Sequence, residues 1–202
     1  MTVDELNDSR PALTAVQREA SLHARRLMTT LGFPVGDPGM TDTPARLVRA
    51  WCELSHGMHL DPGRHLAVTF PPESPDPGLI AVTDVPFVSL CEHHLLPFTG
   101  TANVAYLPAP GASIVGLSKL ARLVQEYAAR PQVQERLGEQ IVHALVSRLD
   151  CDGAACAITA EHSCMTLRGA RSTGAQMETL HLKGAFQADP QLRENFLGLA
   201  RT

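Results

Sequence analysis

The sequence predicts an α+β protein in which two β-hairpins flank a pair of helices, in the order ββααββ, behind an N-terminal helical arm. Three observations predict it. Residues 12–31 and 43–56 carry apolar side chains at helical spacing, separated by a Pro/Gly-rich stretch. Residues 79–107 change to runs rich in Val, Ile, Thr and Phe, broken by Pro and Gly. Helical spacing then returns over 118–149, and two more β-rich runs follow at 154–168 and 176–186. A strand pair, two helices and a second strand pair suggest an antiparallel sheet with helices on one face.

In order, Leu13, Val16, Ala20, Leu22 and Leu27 give the first helix its face, and Gly32 stops it. Thr43 is expected as the cap of the second helix, with Pro44 at its first position. Trp51 and Cys52 are expected in the core, and Pro71 to Pro77 reads as an exposed loop. Ser118 opens the first inner helix, through Leu120, Leu123, Val124 and Tyr127. Pro131 begins the second, through Val133, Leu137, Ile141 and Leu145. Asp189-Pro190 caps a short last helix, Leu192 to Ala200. We divide the chain into a helical extension, residues 1–65, and a main domain, residues 66–202.

Composition narrows the function. At 202 residues and 44% hydrophobic the chain can bury a core, but with 4% aromatics that core must be aliphatic. A net charge of −4 and no basic run argue against a nucleic-acid partner. No apolar run reaches membrane-spanning length, so no membrane partner is expected. Residues 1–10 are polar and expected to fray, without the apolar region of a signal peptide. Five cysteines in no framework spacing suit a reducing cytoplasm, where thiols serve metal or core.

The chemistry concentrates in Cys91-Glu92-His93-His94 and His162-Ser163-Cys164. Cys91 and His94 are three apart, so one tight turn can aim both at one point. His162 and Cys164 are two apart, and on a strand they would share a face with Thr166 and Arg168. Cys91, His94 and Cys164 then form a Cys2His set suited to zinc, with a fourth position open for catalysis. His93 and His162 are left as proton-transfer groups. The alternative is a closed structural site with His93 or His162 as fourth ligand.

Ser118, Lys119 and Arg122 at a helix start offer an anion site, with Arg168 as a buried cation beside the metal. The alternative is a cap and two solvated cations. Glu135, in a first helical turn, either stabilises that helix end or accepts two N–H bonds from a flat heterocycle.

Together these segments resemble GTP cyclohydrolase I. The residues that carry the resemblance are Thr43-Pro44-Ala45-Arg46, Cys91-Glu92-His93-His94, Gly116-Leu117-Ser118-Lys119, Arg122, Pro131-Gln132-Val133-Gln134-Glu135, His162-x-Cys164 and Arg168-Gly169. The resemblance spans about residues 12–200 and implies the T-fold, with residues 66–202 as its catalytic domain. It implies zinc on Cys91, His94 and Cys164, His93 as acid/base at the guanine imidazole, and His162 near N9, the ribose or the metal water. It places Glu135, with Gln134 nearby, at the 2-amino edge of guanine. Ser118, Lys119, Arg122 and Arg168 would hold the triphosphate, and Arg46 would reach in from a neighbouring subunit of a homodecamer with active sites where subunits meet. The implied reaction opens the imidazole ring of GTP, releases formate and yields 7,8-dihydroneopterin triphosphate, the first step of tetrahydrofolate and pterin biosynthesis. Gln176-Met177-Glu178-Thr179-Leu180-His181 departs from the Thr/Ser-rich strand usual there. The alternatives are a specialised paralogue feeding a deazapurine or other secondary pathway, and a non-catalytic purine- or pterin-binding module. The absence of the His-x-Glu and Pro-Cys-x-x-Cys signatures argues against a nucleobase deaminase.

Overall fold

The computed structural model describes residues 12–200. The expectations for residues 1–10 lie outside the described residues. Two compact units meet in sequence between Glu53 and Leu54.

In the first unit, α1 (Ala15–Thr30) starts at a capping box, in which Thr14 and Gln17 each bond the other's backbone N–H. Gly32, at φ 83°, follows its C-cap, a conformation that favours glycine. The helix buries Ala24 and Met28, and Arg25 donates to the carbonyls of Val35 and Thr41, pinning the loop that follows. Helix α2 (Thr43–Leu54) starts at Thr43, the expected cap, one residue before the expected first position Pro44. Cys52 is exposed rather than buried.

The second unit opens with two 3₁₀ turns, His56–His59 and Pro62–Ala67. Its sheet has the order β5-β2-β3-β6-β7, from β2 (Ile80–Cys91), β3 (Pro97–Pro108), β5 (Pro131–Gln132), β6 (Cys151–His162) and β7 (Met177–Gly184). All pairings are antiparallel except β2 with β5. Between the hairpins run α3 (Leu117–Ala128) and α4 (Gln134–Arg148), which gives the ββααββ order expected of the T-fold. Alternation along β3 sorts the two faces. Phe98, Ala102, Val104 and Tyr106 pack with Leu120, Leu123 and Val124 of α3 and Leu137, Ile141 and Leu145 of α4. Ala105 and Leu107 face the other way, against Phe186 of α6 (Ala185–Ala188) and Phe196 of α7 (Pro190–Leu199). The buried Tyr106 hydroxyl accepts the Val115 N–H at 2.9 Å.

Four expectations are corrected. A two-stranded ribbon, β1 (Thr69–Phe70) with β4 (Ile114–Val115), carries too few residues to show periodicity. Gly116, not Ser118, is the N-cap of α3, so Ser118 lies inside the helix. Pro131 does not begin a helix: Pro131 and Gln132 pair with Leu90 and Cys91, and α4 starts after the extended N-cap Val133. The strand expected over 154–168 stops at His162, and Ser163–Thr166 form a helical turn, α5. The reason is non-local: β3 begins at Pro97, and β7 pairs β6 only as far as Ala160, so partners run out on both sides.

Gly138 sets how close α4 lies to β7. A Cβ there would meet Cδ2 of His181 at 2.2 Å. Glycine in a helix costs about 1 kcal/mol against alanine, and here the bare backbone lets the start of α4 reach the sheet. Among the described residues no helix is long and apolar enough to cross a membrane.

Candidate active site

Cys91 closes β2 and is buried, and the chain turns sharply after it. Its carbonyl accepts from the N–H groups of His94 (3.2 Å) and Leu95 (2.8 Å), and its own N–H donates to Leu96. Leu95 takes φ 53°, unusual for a non-glycine residue. The curl brings Nδ1 of His94 to 3.8 Å from Cys91 Sγ. From the other hairpin, α5 delivers Cys164 to the same point. The ligating atoms of Cys91, His94 and Cys164 all lie within 4.8 Å of one another. Two donors on corners of a zinc tetrahedron stand about 3.6 Å apart. Two thiols and an imidazole, spaced so, fit zinc. Cys91 is buried, Cys164 half-buried and His94 exposed, so the set opens to solvent on one side.

His93 does not join that set, although its Nδ1 is 3.9 Å from Cys91 Sγ. The segment is a turn, and the rings of His93 and His94 stand at 84° to one another.

His162 ends β6 with its ring stacked on Phe98, centroids 4.4 Å apart and planes at 5°. Its Nε2 lies 2.9 Å from Oε1 of Gln134. Gln134 is fully buried, and its amide N–H groups are directed at the carbonyls of Ile158 (3.1 Å) and Met177 (3.0 Å) and at Thr179 Oγ1 (3.2 Å). Those acceptors fix which way the amide points. Its oxygen must then receive a proton, so His162 carries hydrogen on Nε2 and presents Nδ1 as an acceptor. Burial lowers the His162 pKa, opposed in part by the negative charge of Glu135. The imidazole is therefore neutral at neutral pH.

Glu135 is exposed beside it. Gln134, expected at the guanine edge, instead turns inward to the sheet and to His162. Arg168 is exposed, not buried as expected, and its charge acts on the Cys164 thiol against burial and Cys91, which push that thiol's pKa up. Ser118 and Arg122 are exposed on the first turns of α3, with Lys119 half-buried between them. Among the described residues none of the three bonds to the Cys/His cluster. Arg46 belongs to the first unit, where it lies 3.7 Å from Asp42.

Sequence reasoning missed Phe98, whose stacking partner lies three strands along the chain, and Arg136. Arg136 had one legible signal, a cation in the first turn of a helix, where the dipole disfavours it. It donates to Glu92 at 2.5 Å. That bond, above all, holds the Glu92 carboxyl below the usual range.

Known proteins place this arrangement. The sequence model of the family described as GTP cyclohydrolase I matches residues 20–201. The protein named GTP cyclohydrolase 1 from Rhodopirellula baltica is 45% identical over 175 residues, 87% of this chain and 75% of the relative. Its namesake from Mycobacterium leprae is 44% identical over 183 residues, 91% of this chain and 88% of the relative. That from Corynebacterium aurimucosum is 41% identical over 198 residues, 98% and 100% of the two chains. A crystal structure of the archaeosine synthase QueF-Like in the apo form aligns with TM-score 0.44 and 16% identity, over 54% of this chain and 96% of that one. On the family match and these identities over nearly its whole length, the chain belongs to the GTP cyclohydrolase I family.

Proposed function

We propose that this protein hydrolyses GTP at the guanine imidazole ring, releasing C8 as formate and forming 7,8-dihydroneopterin triphosphate, with zinc held by Cys91, His94 and Cys164. The convergence of these three side chains from two hairpins carries the reading. Zinc there supplies an activated water at neutral pH.

The protein's own groups do the rest. His93, exposed at the rim, protonates N7 so that C8 becomes electrophilic. His162 stays neutral and offers Nδ1 to accept a proton near N9 or the ribose. Glu135 accepts hydrogen bonds from the 2-amino edge of guanine, next to His162, whose orientation Gln134 fixes. Ser118, Lys119, Arg122 and Arg168 take the triphosphate, and Arg46 adds to it from a neighbouring copy. Residues 66–202 thus hold the chemistry and residues 1–65 the arm that supplies Arg46.

Assembly into a homodecamer is supported by open sheet edges. Among the described residues strand β7 is paired on one side only, and β5 covers just Leu90 and Cys91 on the outer side of β2. Such edges invite pairing with another chain. The five free thiols support a reducing, cytoplasmic setting.

The test is GTP with zinc-loaded protein, followed for formate and pterin fluorescence, beside His93→Ala. The variant is expected to keep zinc and GTP binding and to lose turnover by about 10²–10⁴-fold. Near-normal turnover would remove His93 from the mechanism. Loss of metal would make it a ligand.

A further inference from the structure

The turn that presents Cys91 and His94 has little of its own to hold it. Glu92, His93, His94 and Leu95 are all exposed, and its internal backbone bonds are three, to the carbonyls of Cys91 and Leu96. What grips it from outside is Arg136. Its Nε donates to Gln132 Oε1 at 2.8 Å, and one Nη reaches the Pro131 carbonyl at 3.1 Å as well as Glu92 Oε2. Gln132 is fully buried and fixed in turn, its amide donating to the Tyr127 carbonyl and to Gln140. The guanidinium is therefore mounted on a rigid frame before it meets Glu92. The Glu92 N–H also donates to the Gln132 carbonyl at 3.0 Å, so its side chain docks on Arg136 and its backbone on the residue that Arg136 is bonded to. The other carboxylate oxygen of Glu92 lies 3.9 Å from Nε2 of His93. One cation thus governs the residue between the metal-facing Cys91 and the two histidines. A cation this early in α4 works against the helix dipole, and local rules broken without local gain mark functional positions.

We propose that Arg136 is a positioning residue, which clamps Glu92 so that the Cys91–His94 turn keeps Cys91 and His94 on the metal and His93 to the side. The inference rests on the metal-centre reading above. It does not require Arg136 to touch metal or substrate.

The test uses full-length protein stripped of metal and titrated with Co(II), whose thiolate charge-transfer and ligand-field bands report the ligand geometry. The parent is expected to bind a single Co(II) per chain with a tetrahedral thiolate spectrum. Arg136→Gln and Glu92→Gln are expected to weaken Co(II) binding by roughly 10–100-fold and to alter the ligand-field bands, with far-UV circular dichroism unchanged. Arg136→Lys, which keeps the charge but not the fork, is expected to restore binding in part. Parent-like affinity and spectrum in both neutral variants would overturn the inference, as would a loss of thermal stability with metal binding intact. If Arg136→Gln does not fold, Glu92→Gln on the exposed turn carries the test alone. A parent that takes up no Co(II) would overturn the metal-centre reading, and this inference with it.

Discussion

Replacing Gln134 by leucine tests whether the protein sets the tautomer of His162. The side chains are close in volume, so the change removes hydrogen bonds rather than packing. The Ile158 and Met177 carbonyls lose their amide donor and His162 Nε2–H loses its acceptor, in surroundings that run from buried at Ile158 to half-buried at Met177 and His162. An unsatisfied buried group costs about 1–3 kcal/mol. The carbonyls lie in strands whose ladders offer other bonds, so the low end applies, and the three sum to about 3 kcal/mol. In a unit of this size each kcal/mol lowers Tm by roughly 2–4 °C, so a fall of about 6–12 °C is expected. The catalytic effect should be larger. Without the amide oxygen either ring nitrogen of His162 can carry the proton, and the ring can rotate within its stack on Phe98. General acid–base catalysis contributes about 10²–10⁴-fold, and at least the lower figure should be lost from kcat. KM for GTP should move little, because the Gln134 amide is already engaged by the sheet and by His162. The assay is steady-state pterin formation, with metal content measured on the same sample. A folded, fully metallated Gln134→Leu variant with parental kcat would refute the argument.

Further outcomes follow from other parts of the molecule. Cys164→Ser should lose metal and GTP turnover together, and metal analysis showing full occupancy would remove Cys164 from the ligand set. Glu135→Gln should keep metal and lose GTP turnover, while the parent should process ITP, which lacks the 2-amino group, far less well than GTP; equal turnover of the two would end the role given to Glu135. Burial alone would raise the Glu126 carboxyl, but bonds from Arg64 and His65 outweigh it and hold its pKa down, so its contribution is complete above about pH 4.5 and is lost as pH falls through the depressed value. Urea unfolding of Glu126→Gln should therefore show lower stability at pH 7 and a shallower decline below about pH 4.5, and an unchanged acid limb would contradict this. Gly138→Ala should destabilise by about 1–3 kcal/mol despite alanine's better helix propensity, because the new Cβ strikes His181, and adding His181→Ala should recover much of that loss in thermal melts.

What the sequence reveals here is what local spacing controls. Cys91 and His94 meet because three residues make a tight turn, and the 3.6-residue period of α3 and α4 is visible in their buried leucines. What stays hidden depends on where distant elements stop. The face shared by His162 and Cys164 does not exist, because β3 begins at Pro97, one residue before the Phe98 that pairs with His162, and leaves β6 no partner to continue on. Cys164 still reaches the site, but from a helical turn. The same bend puts Arg168 in solvent. Pro131 looks like a helix start by every local rule, and only its pairing with Leu90 makes it a strand. Gln134 and Glu135 are indistinguishable in sequence as polar residues at a helix start, and only the approach of α4 to β6 and β7 makes one buried and the other exposed. The 176–181 segment supplies the Met177 carbonyl and Thr179 hydroxyl that hold Gln134.

The first turn of α4 explains why the site requires this topology. Successive helical residues point about 100° apart, since a turn takes 3.6 residues. Gln134 turns into the sheet and orients His162, Glu135 faces solvent where a ring can approach, and Arg136 turns toward the β2–β3 turn and holds Glu92. Three adjacent residues thus serve three different parts of one site. They can do so only if α4 enters at one rotation and one height. The extended Val133 and the pairing of Gln132 with Cys91 fix the rotation, and Gly138 against His181 fixes the height. The short strand β5 is therefore more than a connection. It ties the start of α4 to Cys91, which opens the Cys91–His94 turn, so any slip of the helix along the sheet would displace Gln134, Glu135 and Arg136 together.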